Sequence, residues 1–435
     1  MKRGMNRRQA WGAWLLSVAT VAAGAMGGAA AAHAQAGQPG ASWEAVLAMS
    51  PRWQAAQQAH QAALARAQAI EGNPHDWTPQ ASWAQRSQRS EPGQLATADT
   101  REWSIGVSRG VRGPGKAAAA QDWSFRLRDW ADAERAQAWL LICREALTDA
   151  GEMALAQQQA SLWRAHADNL GAQHQALKRR HELGDAARQD VILADAARAQ
   201  AESQATLAEQ RARSVESRWR GRYPGLVAPT DLTLERDPGP APDAGDLLPT
   251  RMRQHPAWLA AERRVLAMKA QARHAQAERQ PDPVLGLQYG RERSGAERVI
   301  GVSMTWPIGA ATRASQALAQ AAEAESAQAE LDDLALSLRA DLGRWLDQAS
   351  RAQQAASSSA HALRQTELAE QALRRGQALG QASASEVLQM QRQLIEQRQL
   401  AAQASVEAWL AQRKWSLESG SLWADLPVDA GGAQR

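Results

Sequence analysis

LGDAARQDVILADAARAQ (residues 183–200) and LGQASASEVLQMQRQ (residues 379–393) decide how this chain reads. Each opens on Leu-Gly and runs through a short polar stretch to an acid six residues past the glycine, Asp190 or Glu386. Each then continues with Val and a resumed helical pattern. A glycine between two helical patterns marks a reversal, because it enters the left-handed backbone region without a Cβ clash. The same small turn, placed twice so far apart, predicts two copies of one larger unit.

Three further landmarks recur in the same order. SPRWQAA at 50–56 returns as HPAWLAA at 255–261, and IGVS at 105–108 returns as IGVS at 300–303. GPGKAAAAQ from Gly113 resembles PIGAATRAS from Pro307. The copies are each about 200 residues long, a period that marks a duplicated unit rather than chance similarity. Between them, residues 221–249 hold six of the 17 prolines and read as a linker, since Pro and Gly at that density break helix and ladder alike.

Within each copy the period switches. Residues 42–72 and 250–280 are Ala-rich with apolar positions at helical spacing, and Pro74, Pro79, Pro281 and Pro283 end those helices. Alternation of period two comes next, predicting strands near 80–90, 100–111, 284–292 and 298–307. Trp103, Ile105 and Val107 interleave with Ser104, Gly106 and Ser108; Ile300, Val302, Met304 and Trp306 interleave with Gly301, Ser303 and Thr305. Beyond the strands lie proline-free helical tracts, 116–180 and 310–376, and the glycine turns reverse them into helices 186–220 and 382–418. Leucines at 155, 162, 170 and 177, and Leu331, Leu338 and Trp345, form near-heptad seams. The fold class is therefore mainly α with a small β part, in two repeats of helix, β-hairpin and long helical hairpin: 35–220 and 250–420, with a tail at 421–435.

The N-terminus places the chain outside the cytoplasm. MKRGMNRRQA carries four basic residues and no acid, an apolar small-residue run continues from it, and AHAQA closes it. That is a secretory signal peptide over residues 1–34, with Ala36 the second cleavage choice; an uncleaved anchor is the alternative, the run being long enough to span. Those four charges account for the whole net +4, so the remainder is neutral and its basic pI points to no nucleic acid. One cysteine, Cys143, excludes an internal disulfide framework and CxxC metal sites, and reads as an inert small apolar residue. Phe occurs once and Tyr twice against 18 Trp, most of them in the helical tracts, where they read as packing residues. His166, His174 and His181 share a helical face and read as solvated, without metal-site spacing. No catalytic pattern stands in a fitting context, and neither an enzyme nor a cofactor is expected.

Strands with glycine and serine on one face and Trp, Ile, Val and Leu on the other fit a membrane barrel, with a lipid face and a lumen face. Four strands cannot enclose a lumen, and open edges in lipid leave backbone groups unsatisfied. Several chains must share such a barrel; three would supply twelve strands.

The order helix, hairpin, long helix, Leu-Gly turn, helix, twice after a signal peptide, resembles the TolC-like outer-membrane efflux channels, and the quoted motifs look closest to the branch serving heavy-metal efflux pumps. The resemblance implies a homotrimer: a 12-stranded outer-membrane β-barrel continued by an α-helical periplasmic barrel. It further implies a passive exit duct, reached from an inner-membrane transporter through a periplasmic adaptor, in a Gram-negative outer membrane. Carried onto this sequence, it implies adaptor docking by Leu183, Gly184 and Ala187 in one tip and Leu379, Gly380 and Ser383 in the other. The family's constriction acids fall on Glu386 and Gln389, so the first is present and the second is not; the first copy offers Asp190 and Leu193 there. Where the family often has an aromatic three residues before the glycine, this chain has His181 and Gln377. Glu386 has two readings, a gating acid and a partner for the helix N-terminal dipole. A periplasmic coiled-coil adaptor or structural protein is the alternative function, although it leaves the paired strands unexplained.

Overall fold

The computed structural model describes residues 43–87, 99–113, 115–227, 244–309 and 311–420. The signal segment, the last three residues of the strand expected at 80–90, most of the Pro-rich connection and the tail lie outside them.

Helix α1 (Trp43–Ala48) and helix α2 (Pro51–Glu71) replace the single helix expected over 42–72. Ser50 divides them: its Oγ accepts from the Trp53 N–H at 3.2 Å, and Pro51 takes the first helical position, where a missing N–H costs nothing. Pro79 does not help to end α2. It lies within strand β1 (Thr78–Ser87), opposite Val107 of strand β2 (Asp99–Gly110).

Strands β3 (Val284–Glu292) and β4 (Glu297–Thr305) complete one antiparallel sheet in the order β1-β2-β3-β4. The β2–β3 pairing joins hairpins far apart in sequence, matching Ile105 to Tyr289 and Val107 to Leu287. Register sorts the side chains cleanly. One face carries Trp83, Trp103, Ile105, Val107, Leu285, Leu287, Tyr289, Ile300, Val302 and Met304; the other carries Ser82, Ser104, Gly106, Ser108, Gly286, Gly290, Gly301 and Ser303. The small face is tightly curved: a Cβ on Gly286 would stand 2.4 Å from the Ser303 Oγ and 3.4 Å from the Ser108 Cβ. A Cβ on Gly290 would stand 3.1 Å from the Ser104 Cβ, where facing Cβ atoms ordinarily keep about 4.5–5.5 Å. Glycine and serine are what this curl admits.

Below the sheet run helices α3 (Lys116–Glu182) and α7 (Ala311–Ala378), of 67 and 68 residues. At about 1.5 Å per residue each extends roughly 100 Å. Helix α4 (Arg188–Arg222) returns along α3, and helix α8 (Ala384–Glu418) returns along α7 and α3. The buried positions of α7 step by seven: Ala317, Ala324, Leu331, Leu338 and Trp345, flanked by Leu342, Ala349 and Ala356. Alanine at four of these eight places lets the helices approach closely in coiled-coil packing. In α3, Leu170 and Leu177 are buried, while Leu155 and Leu162 are half-buried.

Helix α5 (Ala244–Gln254) takes in residues 244–249, which read as linker in the sequence; Pro249 sits inside it and removes one rung of its hydrogen-bond ladder. Helix α6 (Pro256–Ala277) comes directly after it. The widest core lies midway along the helices, where Trp53 meets Trp139 edge-on at 4.9 Å and Trp219 packs on Trp43 and Tyr223. A second fixed point joins sheet to helices. Buried Asp282 accepts from His75 Nε2 at 2.8 Å, Lys116 Nζ at 2.9 Å and the Gly113 N–H at 2.8 Å.

Candidate functional site

The two reversals have the same backbone. Leu183 is still right-handed after α3, Gly184 turns to φ +80°, its N–H donates to the His181 carbonyl at 2.9 Å, and the Asp185 N–H donates to the Arg180 carbonyl at 2.8 Å. After α7, Gly380 stands at φ +72°, its N–H donates to Gln377 at 3.0 Å, and the Gln381 N–H donates to Gly376 at 2.8 Å. Both are Schellman closures, which satisfy carbonyls that the helix end would orphan. A Cβ added to either glycine would meet nothing within 4 Å, so the left-handed φ alone calls for glycine here. Residues 185–187 and 381–383 complete the turns, which is why α4 and α8 each begin two residues later than expected.

The tips present apolar side chains to solvent. Leu183 is 84% exposed and Leu379 is 74% exposed. Ala187 and Ser383 are exposed beside them. One cleft of about 270 Å³ is lined from both hairpins, by Gln173, Leu177 and Arg180 of α3, Arg374 and Gln377 of α7, and Val387 of α8. Just above it, Arg374 donates to Asn169 Oδ1 at 3.0 Å, tying α7 to α3. That tie leaves no signature in sequence, since its partners lie 205 residues apart.

The helix starts beyond the two turns differ. Ala187 caps α4 with no side-chain acceptor, and half-buried Asp190 lies in the first turn. Arg180 Nε donates to Asp185 Oδ2 at 2.8 Å and braces that tip instead. Ser383 and Glu386 form a full capping box on α8: the Glu386 N–H donates to Ser383 Oγ at 3.3 Å, and Glu386 Oε2 accepts from the Ser383 N–H at 2.8 Å. The Ser383 backbone N–H, then its hydroxyl, holds the exposed Glu386 carboxyl below the usual range. Glu386 thus fills its capping reading in the folded chain. Gln389 is exposed nearby, and Leu193 is 42% exposed on α4. Among the described residues, no hydrogen bond or ion pair joins Asp190 to Glu386.

Two of the three tip-side histidines are packed rather than solvated. His166 is half-buried with its ring 5.8 Å from that of Trp163, and burial, then Arg398, lowers its pKa. His174 is half-buried, with Nε2 3.8 Å from Asp195. His181 is exposed, and its Nδ1 lies 2.8 Å from the Ala186 carbonyl. Among the described residues no group of three His, Cys, Asp or Glu side chains could hold a metal ion. Burial, then Glu44, pushes the Cys143 thiol up to about 12, which keeps it protonated and unreactive.

At the other pole, the apolar sheet face is bare. Val302 is 82% exposed and Ile300 is 76% exposed, and Trp77 and Trp306 stand open at the helical end of the sheet. No described helix is long and apolar enough to cross a membrane. Among the described residues, a broad apolar band thus lies on the convex side of the curled sheet, and Leu183 and Leu379 form apolar knobs at the far tips.

No family model and no curated sequence matches the chain. Solved structures do match. Outer membrane protein VceC of Vibrio cholerae superposes with a TM-score of 0.67 at 18% identity, over 86% of this chain and 94% of that one. The CmeC outer membrane channel of Campylobacter jejuni gives 0.70 at 10% identity, over 86% and 84%. The MtrE outer membrane channel of Neisseria gonorrhoeae gives 0.66 at 15% identity, over 86% and 87%. At identities this low the likeness is one of architecture: the chain has the mainly helical, small-sheet fold of these outer-membrane channels.

Proposed function

We propose that this chain is the outer-membrane channel of a tripartite efflux pump, a passive exit duct in a Gram-negative outer membrane. The observation that carries the reading is the curled four-stranded sheet, bare and apolar on its convex side, small and polar on its concave side. In water that face is a contiguous uncovered hydrophobic surface, the kind that marks contact with lipid or protein. In lipid it is covered, provided the sheet edges are paired. Three chains close a 12-stranded barrel, and α3, α4, α7 and α8 continue it as a periplasmic tunnel. The two halves of the chain are two copies of one unit, 35–220 and 250–420, joined by the Pro-rich segment.

The tips then meet a periplasmic adaptor through Leu183, Gly184, Ala187, Leu379, Gly380 and Ser383. Their exposed leucines and rigid reversals suit a helical-hairpin partner. Glu386, with Gln389 and Asp190 around it, lines the constriction of the closed duct. Three carboxylates from three chains favour cations there. The adaptor links the duct to an inner-membrane transporter, and heavy-metal cations are the first cargo to test. No bond is broken along the way and no cofactor is used.

Membrane fractionation with heat-modifiable gel migration tests the reading. The full chain is expected in the outer-membrane fraction as an oligomer that dissociates on boiling. A monomer released in the soluble periplasmic fraction would overturn it.

A further inference from the structure

The apolar face of the sheet gives way, on three adjacent strands, to an arginine, with β2 running on beyond its arginine to Asp99. Along β4 the outward row reads Trp306, Met304, Val302, Ile300 and then Arg298; along β3 it reads Leu285, Leu287, Tyr289 and then Arg291; along β2 it reads Val107, Ile105, Trp103 and then Arg101. Arg291 and Arg298 are register partners, and Arg291 also pairs with Trp103, which places Arg101 diagonally beside it. Directly opposed side chains keep their Cβ atoms about 4.5–5.5 Å apart and diagonal ones about 7–8 Å, so the three guanidinium groups form one cluster.

The acids described at this end of the sheet, Glu102, Glu292 and Glu297, lie on its other face. Glu102 points to the concave face and pairs with Arg86 at 3.2 Å; Glu297 pairs with Arg293 of the β3–β4 turn at 2.6 Å, and Glu292 lies opposite Glu297 on the concave side. Among the described residues, Arg101, Arg291 and Arg298 make no ion pair. Like charges set directly opposite each other destabilise a sheet, so the Arg291–Arg298 pair favours a bound anion. The opposite end of the same face is built differently: there Arg109 donates to the His75 carbonyl at 3.1 Å and stacks over Trp77.

We infer that Arg101, Arg291 and Arg298 bind the phosphate groups of outer-leaflet glycolipid, the bisphosphorylated lipid A that carries lipopolysaccharide. This rests on the channel reading, which sets the helices in the periplasm and the far end of the sheet in the outer leaflet. From Trp306 to Ile300 the apolar row spans about 20 Å at roughly 3.4 Å per residue, so Arg298 stands where acyl chains give way to headgroups. Guanidinium forks grip phosphate in pairs of parallel hydrogen bonds, which lysine does not reproduce.

The full chain, inserted into phosphatidylcholine vesicles containing lipid A, is then extracted and analysed by native mass spectrometry. Wild-type oligomers are expected to retain lipid A, to lose it in high salt, and to retain no dephosphorylated lipid A. R101Q/R291Q/R298Q is expected to insert normally and retain at least about tenfold less lipid A, the product of several lost charge-assisted contacts. Equal retention by wild type and variant would overturn the assignment. So would equal retention of the dephosphorylated lipid by wild type, an arm that needs no variant to fold. Displacement of lipid A by millimolar inorganic phosphate would also overturn it, as the mark of a free-anion site. Failure of the wild type to enter vesicles of phosphatidylcholine alone would instead sink the channel reading.

Discussion

The two halves of the chain run through the same backbone events and stabilise them with different side chains. Ser50 and His255 both cap the helix that leads into the first strand of their half, α2 and α6. Ser50 does so from a part-exposed site with a single bond to Trp53, whereas His255 is buried and caps with Nδ1, which accepts from the Ala257 N–H at 3.1 Å. Its Nε2 therefore carries the proton and donates to Glu418 at 3.0 Å, and Arg144 of α3 reaches the other oxygen of that carboxylate at 2.6 Å. At the tips the contrast repeats, with a bare Ala187 in the first half and the Ser383–Glu386 box in the second. Backbone reversal is thus set by glycine alone, while the rigidity of the next helix start is set by side chains. In each pair the second half is the more firmly held.

The largest test of that asymmetry is at Glu418. Glu418→Ala leaves Arg144 and buried His255 without their shared anion and is expected to cost about 3 kcal/mol, as broken buried pairs do, against about 1 kcal/mol for Ser50→Ala. Thermal unfolding of the solubilised protein followed by circular dichroism measures both, and equal losses would break the comparison. Burial raises the Glu418 pKa, but hydrogen bonds from His255 and Arg144 outweigh it and leave the pKa lowered. The contribution is therefore complete above the ordinary glutamate range and is lost as pH falls through the depressed folded value. Wild type and Glu418→Ala should accordingly converge in melting temperature on acidification.

The glycines come next. Gly184→Ala and Gly380→Ala each force an L-residue into the left-handed region and should destabilise by about 1–2 kcal/mol, equally in both halves. Unequal shifts in melting temperature would mean that one tip relaxes and that the reversals are not equivalent. Smaller still are the caps. Ser383→Ala should cost about 1 kcal/mol, while Ala187→Ser should gain roughly half as much by giving α4 the acceptor it lacks. Hydrogen exchange at the first turns of α4 and α8 reads this directly, and no added protection of α4 in Ala187→Ser would count against it. Glu386→Gln keeps the box and removes the charge, so stability should move by only about 0.3 kcal/mol. The same variant should lower cation preference in planar-bilayer conductance; unchanged selectivity would remove Glu386 from the constriction.

Much of the architecture is legible in the residues themselves. Strand faces come from alternation at Trp103, Ile105 and Val107, helix length from proline-free tracts, and the reversals from Gly184 and Gly380. Local misreadings have local causes. Pro79 reads as a helix breaker yet sits in β1, because proline is excluded only where its N–H is needed in the ladder. The 42–72 tract reads as one helix because its alanines mask a cap at Ser50. His166 reads as solvated because a polar residue on a helix says nothing of what packs against it.

Sequence by itself therefore determined the elements, their order and their two-faced strands, since periods of 2 and 3.6 and the left-handed turn are properties of neighbouring residues. Only the tertiary structure decided which distant partners meet. The β2–β3 pairing that fuses two hairpins into one curled sheet, the His255–Glu418–Arg144 cluster, the Arg374–Asn169 tie and the arginine row across β2, β3 and β4 are all of this kind. Each joins residues whose separation along the chain carries no period, so its energy exists only once the chain has closed on itself.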